Sequence, residues 1–236
     1  MKLLNNFVVA GGLLLALGGS VTAQAATFNF ATDTYTKTGT VYKWTGDDGI
    51  TTVETTAWTV HGTTPTDKNV TLGIYDTGLG VTNNKDGWRN DDSADHWHTI
   101  DNSNGIDYIK LDFSEAVKIE QIVLTIWRTD GDMTLGYGGY SAGNLHIDTD
   151  KGYLQEWTID LTSDEDKTID EILDSQWRIF AQTSCGTGGD PDCTNDGFKL
   201  KSVTVSAVPI PAAAWLFGSA LLGVVGIGYR RREIEV

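Results

Sequence analysis

Apolar side chains in this chain recur at every second residue. Ile109, Leu111 and Phe113 alternate with Tyr108, Lys110 and Asp112, and Trp157, Ile159 and Leu161 alternate with Thr158 and Asp160. Successive side chains of a strand point to opposite faces, so this period predicts strands with one face buried and the other in water. The run from Val117 to Trp127 is the most apolar, unbroken from Ile122 to Leu124. It predicts a central strand with a bulge near Glu120-Gln121. Segments 51–61, 70–75, 132–137, 176–182 and 197–207, bounded by Gly, Asp and Asn, predict further strands. In the last, the apolar phase shifts between Leu200 and Val203, which predicts a second bulge. One helix is expected where Thr168-Ile169-Asp170-Glu171 forms a capping box. Its apolar face would be Ile169, Ile172 and Leu173, with Ser175 ending it. The stretch from Asn83 to Asn104, rich in Asn, Asp, Ser and Gly, reads as a surface loop. Many short strands and one helix predict an all-β fold, an antiparallel β-sandwich or jelly roll with one short helix.

Both ends of the chain lie outside this pattern. Lys2 opens a short basic region, Phe7 to Leu17 is apolar, and Ala23-Gln24-Ala25 supplies a small-x-small cleavage site. These parts predict a signal peptide over residues 1–25, cut after Ala25. At the other end, residues 212–229 carry no charge, and a helix of that length spans roughly 27 Å at ~1.5 Å per residue, enough to cross a hydrocarbon core. Pro209 and Pro211 resist helix on its outer side, and Arg230, Arg231 and Arg232 favour the cytoplasm on its inner side. The expected organisation is a signal peptide, one exported domain over 26–206, a C-terminal segment over 207–232, and a tail over 233–236.

Charge narrows the partners of that domain. The chain has 17 Lys and Arg against 32 Asp and Glu. Leaving out Lys2, Arg230, Arg231, Arg232, Glu233 and Glu235 leaves 13 against 30, a net −17 for the exported part. Phosphate backbones are bound by clustered Lys and Arg, so nucleic acid is excluded as a partner. Cys185 and Cys193 bracket Gly-Thr-Gly-Gly-Asp-Pro-Asp. In an exported protein, this spacing reads most simply as a disulfide closing a small loop, contributing at most roughly 2.6 kcal/mol by chain entropy.

The string Val208-Pro209-Ile210-Pro211, followed by Ala-Ala-Ala-Trp-Leu-Phe-Gly-Ser-Ala-Leu-Leu-Gly to residue 223 and then the arginines, resembles a PEP-CTERM sorting signal. Ile210 stands where that motif usually has glutamate; aliphatic variants also belong to the family. The resemblance implies processing by exosortase, a membrane cysteine transpeptidase-like enzyme of Gram-negative bacteria, and an association with exopolysaccharide and biofilm. A second resemblance covers roughly residues 75–137. Gly78-Leu79-Gly80-Val81-Thr82-Asn83, His98-Thr99-Ile100-Asp101-Asn102, Asp107 to Phe113, Trp127 and Asp130-Gly131-Asp132 are similar, in that order, to a group of small exosortase-dependent surface proteins. It implies class and location and carries no chemistry.

Candidate chemistry is sparse. Gly139-Tyr140-Ser141-Ala142-Gly143 satisfies Gly-x-Ser-x-Gly, but no helical face follows it, and His146 lies only five residues beyond Ser141. It reads as a glycine-rich turn rather than a nucleophile elbow. His96 and His98 would share a face if extended, and Asp95 or Asp101 could join them on a metal. The bland alternative is an Asx-type turn at Asp101-Asn102 with His98 hydrogen-bonded beside it. Asp130 with Asp132, Asp148 with Asp150, and Asp190, Asp192 and Asp196 with Asn195 offer the oxygens that calcium takes. A structural calcium ion fits that chemistry, although no cofactor is required. Trp88, Trp97, Tyr137 and Tyr140 lie in loop-like surroundings and are candidates for stacking on sugars.

The expectation is therefore a non-enzymatic protein sorted by exosortase. It would be an inner-membrane-anchored precursor with a periplasmic domain, and then a cell-surface or matrix protein. Its work would be structural or adhesive within exopolysaccharide. The alternatives are a carbohydrate-binding module and, behind it, a surface hydrolase.

Overall fold

The computed structural model describes residues 24–61, 64–67, 70–83, 98–102, 105–127, 131–138, 144–147, 154–162, 172–181 and 196–207. They form an all-β, antiparallel, sandwich-like fold. Its strands are β1 (Ala25–Asn29), β2 (Tyr35–Thr38), β3 (Val41–Thr45), β4 (Thr52–His61), β5 (Thr64–Thr66), β6 (Val70–Tyr75) and β7 (Gly78–Asn83). They continue with β8 (Ile100–Asp101), β9 (Ile106–Ile126), β10 (Met133–Tyr137), β11 (Asn144–Ile147), β12 (Glu156–Asp160), β13 (Asp174–Ala181) and β14 (Gly197–Ala207).

One strand joins the two layers. The segments expected as separate strands, 108–113 and 117–127, are a single strand of 21 residues, β9. Its first half lies between β4 and β13, with Ile109 opposite both Ala57 and Ile179. Its second half lies between β14 and β12, with Ile122 opposite both Val203 and Ile159. Between the halves Ser114, Glu115 and Ala116 are exposed, and the β13 register jumps from Asp112 to Val117 within two β13 residues. The strand therefore exchanges neighbours here, from β4 and β13 to β14 and β12. Trp177, fully buried, lies at that exchange: its indole N–H donates to the carbonyls of Asp174 at 2.9 Å and Val117 at 3.3 Å.

Both expected bulges are present. Thr204 faces Gln121 and Val205 faces Ile119, so Glu120 is the extra residue on β9. Leu200 faces Leu124 and Ser202 faces Val123, so Lys201 is the extra residue on β14. Each insertion restores the apolar phase. Ile119 and Ile122 both stay inside, as do Leu200 and Val203.

The core between the layers is built from inward-facing residues of nearly every strand, including Phe28, Phe30, Trp44, Leu111, Leu124 and Phe198. A smaller cluster lies on the opposite face of the first layer, where Tyr108 packs between Trp58 and Phe180. No helix occurs among the described residues. The helix expected from Thr168 falls on residues 163–171, outside them; Ile172 and Leu173 are not helical, and Ser175 already belongs to β13. The first and last strands pair with one another, Ala25 opposite Ser206, so the fold closes on itself. Residues 1–23 and 208–236 lie outside the described residues.

Candidate functional site

The two motif segments of the middle of the chain meet on β14. Phe198 pairs with Ile100 and Gly197 with Asp101 on β8, while Leu200 pairs with Leu79 on β7. The glycines explain how β7 fits. A Cβ on Gly78 would lie 2.3 Å from the Leu200 carbonyl oxygen, and Gly78 also has φ +122. A side chain is excluded there on both counts. A Cβ on Gly80 would lie 1.6 Å from the His98 carbonyl oxygen, so the backbone before β8 rests directly on β7. The Gly-Leu-Gly spacing is thus a docking surface for the His98–Asn102 segment.

Around this junction lies a polar cluster, buried at Thr99, Asp101, Asp196 and Lys199 and half-buried at Tyr75, Thr82, His98 and Asn102. His98 stacks on Tyr75 with ring centroids 5.5 Å apart and 7° between planes, and its Nδ1 lies 2.5 Å from the Thr82 hydroxyl. Lys199 is fully buried, with its ammonium 3.9 Å from the Tyr75 ring centroid and 4.4 Å from that of Trp127. Lysine in such a place is stabilised by the negative faces of the rings. Thr99 donates to the Asp101 carboxylate at 3.1 Å, and both are buried. Asn102 donates through Nδ2 to the Asp196 carboxylate at 2.5 Å, and Asp196 is fully buried. On the same sheet, the Thr125 hydroxyl donates to the Thr77 carbonyl at 3.0 Å. The cluster ties β6, β7, β8, β9 and β14 together through charge-assisted and aromatic contacts, which carry more energy in a low-dielectric setting than at the surface.

No family model, no curated protein and no solved structure matches the chain.

The expected site residues are placed unevenly. His98 is hydrogen-bonded, as the bland reading had it, but to Thr82 rather than beside an Asx turn. Asp101 is a strand residue in β8, and its carboxylate accepts from Thr99. Of the acidic candidates, Asp196 is held by Asn102, and Asp132 is buried just before β10. Asp130, Asp148, Asp150, Asp190 and Asp192 lie outside the described residues, as do His96, Cys185 and Cys193. Among the described residues no three His, Cys, Asp or Glu side chains are grouped to hold a metal ion. Tyr137, a sugar-stacking candidate, instead packs against the buried Trp177 at 5.8 Å. Trp88, Trp97, Tyr140 and Ser141 lie outside the described residues, and the Nδ1 of His146 is 2.8 Å from the Thr134 hydroxyl across β10 and β11. Ala23 and the sorting residues Val208, Pro209, Ile210, Pro211, Arg230, Arg231 and Arg232 also lie outside them; Ala25 opens β1.

Sequence reasoning missed Lys199 and Tyr75. Lys199 alternates with Phe198 and Leu200, so the period-two reading places it on the outer face, which is correct, and in water, which is not. The signal that could have found it is the aromatic residue on each neighbouring motif segment, Tyr75 before Gly78 and Trp127 after β9.

Proposed function

We propose that the chain is an exported cell-surface or extracellular-matrix protein, cut after Ala25, sorted by exosortase through residues 207–232, and structural or adhesive in exopolysaccharide. In this reading the precursor sits in the inner membrane of a Gram-negative cell through residues 212–229, and the domain is a sandwich of the jelly-roll kind that performs no catalysis. The observation that supports it best is the match between fold and chain ends. The described strands run from Ala25 to Ala207, and β1 and β14 pair with each other, so apart from those two end residues they fall in the interval that a signal peptide and a sorting tail would leave between them. The polar cluster adds to this: its side chains are engaged in holding strands together, the arrangement of a structural module.

The test is mass spectrometry of the mature protein from cells with and without exosortase, together with surface fractionation. The reading requires an N-terminus at Ala26 and loss of the C-terminal segment only when exosortase is present. A protein ending at Val236 in both strains would remove the processing step.

A carbohydrate-binding module is the narrower second reading, favoured by an aromatic-lined cleft between β3, β4 and β6. The hydrolase alternative would need Ser141, and a Ser141→Ala variant with an unchanged surface phenotype would dispose of it.

A further inference from the structure

One edge of β4 is interrupted. Along its β9 edge, pairing is continuous from Val53 to Val60. Along the other edge β3 covers Thr52–Thr55 and β5 covers Thr59–His61. Thr56, Ala57 and Trp58 have no strand partner on that side among the described residues. Strand N–H and C=O groups point to the two edges alternately, so at least one of these three residues turns its backbone polar pair toward the gap. The gap is as short as β5, well below the common strand length of about 5–6 residues, so it offers an added strand few hydrogen bonds.

The gap opens into a cleft of about 90 Å³. Its walls come from the β2–β3 hairpin and β6, and Lys37, Tyr42, Thr56, Trp58, Asp67 and Thr71 line it. The Tyr42 hydroxyl donates to the Leu72 carbonyl at 3.3 Å and so joins the two walls. The indole is fixed in advance: Trp58 Nε1 donates to the Thr56 hydroxyl at 3.0 Å, and the ring stacks on Tyr108 at 6.2 Å and 17°. Lys37 reaches over the Tyr42 ring at 4.5 Å. Lys37 and Asp67 are both exposed at the rim, so neither is committed to the core.

This combination selects a ligand class. An apolar molecule would strip water from Asp67, Lys37 and the open backbone without replacing its hydrogen bonds. An anion would face Asp67 and a chain of net charge −15. A metal ion would find one carboxylate. A sugar ring has what the cleft asks for: C–H groups to set against the Trp58 and Tyr42 side chains in its lining, and hydroxyls around the rim that both donate and accept. The small volume admits one ring rather than a run of them. We propose that the cleft between β3, β4 and β6 binds a single neutral sugar residue at the end or branch of a glycan. This deepens the extracellular reading and rests on it.

The test uses the full protein purified from its cells, on an array of neutral gluco-, galacto- and manno-oligosaccharides with uronic acid oligosaccharides as the anionic arm. Binding to at least one neutral member is expected, weakened about tenfold or more in Asp67→Ala and in Lys37→Ala, each losing one or more hydrogen bonds to the sugar. Their thermal midpoints should match the parent's, because both side chains are exposed. Trp58→Phe, which keeps an aromatic ring but loses the Thr56 bond, should weaken binding less than removal of Asp67. Binding to no neutral member, binding to uronic acids alone, or unchanged affinity in both rim variants would overturn the proposal. Fractionation is read separately: a surface protein that ignores neutral glycans sinks the cleft and leaves the localisation standing, and a cytoplasmic one that binds them does the reverse.

Discussion

Gly80 and His98 touch through their backbones: a Cβ on Gly80 would stand 1.6 Å from the His98 carbonyl oxygen. Backbone cannot rotate away as a side chain can, so Gly80→Ala must push β7 off the His98–Asn102 segment. The stacked pair Tyr75–His98 and the Thr82–His98 bond would be lost with that contact. Overpacking in a fitted site costs about 1–3 kcal/mol or more. Urea unfolding of Gly80→Ala should show a lowered midpoint with an unchanged slope, corresponding to a loss of at least about 1 kcal/mol. A variant as stable as the parent would mean that the segment before β8 is free to move.

Lys199 is held by the faces of two rings, at 3.9 and 4.4 Å. Lys199→Met keeps most of the stem's packing and removes the charge. Desolvated cation–π contacts contribute about 2 kcal/mol or more each, partly offset by the cost of burying the ammonium. The expected loss is about 1–3 kcal/mol by thermal unfolding, insensitive to added salt because the group is buried. Full parental stability in Lys199→Met would show that the burial cost cancels the attraction.

How much of this was legible in the sequence depends on the length of the alternating run. β6 and β14 appear over the expected residues, and the Glu120 and Lys201 bulges lie where the apolar phase slips. The passage through 114–116 was not legible as a continuous strand, because Ser114 and Glu115 read as a break in the pattern. β2 is Tyr-Thr-Lys-Thr and exposed throughout, and β8 is two residues long, so neither offers a period to detect. In the candidate site, Gly78-Leu79-Gly80 and His98-Thr99-Ile100-Asp101-Asn102 stood out as strings. Their meeting on β14 did not, since register between distant strands is fixed by packing that a single sequence does not display.

Asp48 closes the β3–β4 hairpin. Its carboxylate accepts from the Thr51 hydroxyl at 2.6 Å, from the Ile50 N–H at 2.9 Å and from the Thr51 N–H at 3.0 Å, while Gly49 takes φ +71 beside it. Partial burial pushes its pKa upward, but these three hydrogen bonds outweigh it and hold the group below its ordinary value of 3.8. A carboxylate whose folded-state value is depressed stabilises the fold fully above its unfolded value, and that contribution is lost as pH falls through the folded one. Asp48→Asn should therefore differ from the parent in the acid limb. The stability gap between them should be constant from pH 7 to about pH 5 and shrink below about pH 4. Urea midpoints at pH 6 and pH 3 measure this directly. A gap that widens toward acid would reverse the assigned sign.

The single extra residue at Glu120 keeps two apolar groups of β9 on the same inward face while both pair with β14. Upstream of it Val117 and Ile119 point inward; downstream Ile122, Leu124 and Ile126 do, and Glu120 and Gln121 both turn out between them. The Glu120 carbonyl is also anchored, accepting from the Leu161 N–H at 2.8 Å. Side chains of a strand alternate with a period of two, so deleting Glu120 leaves no register in which both apolar groups face the core. Either Ile122, Leu124 and Ile126 go to the solvent face or Val117 and Ile119 do, and exposing even two such side chains costs roughly 3–6 kcal/mol, a large share of the stability of a domain. The deletion should yield a protein without a cooperative thermal transition, whereas Glu120→Ala, which keeps the residue count and the backbone bond to Leu161, should stay within about 1 kcal/mol of the parent. Deleting Glu120 and Lys201 together removes both bulges, at different heights on the β9–β14 ladder, so it should not restore folding. Recovery of a cooperative transition in that double deletion would show that register across β9 and β14 alone, and not the inward phase of each strand, fixes this sheet.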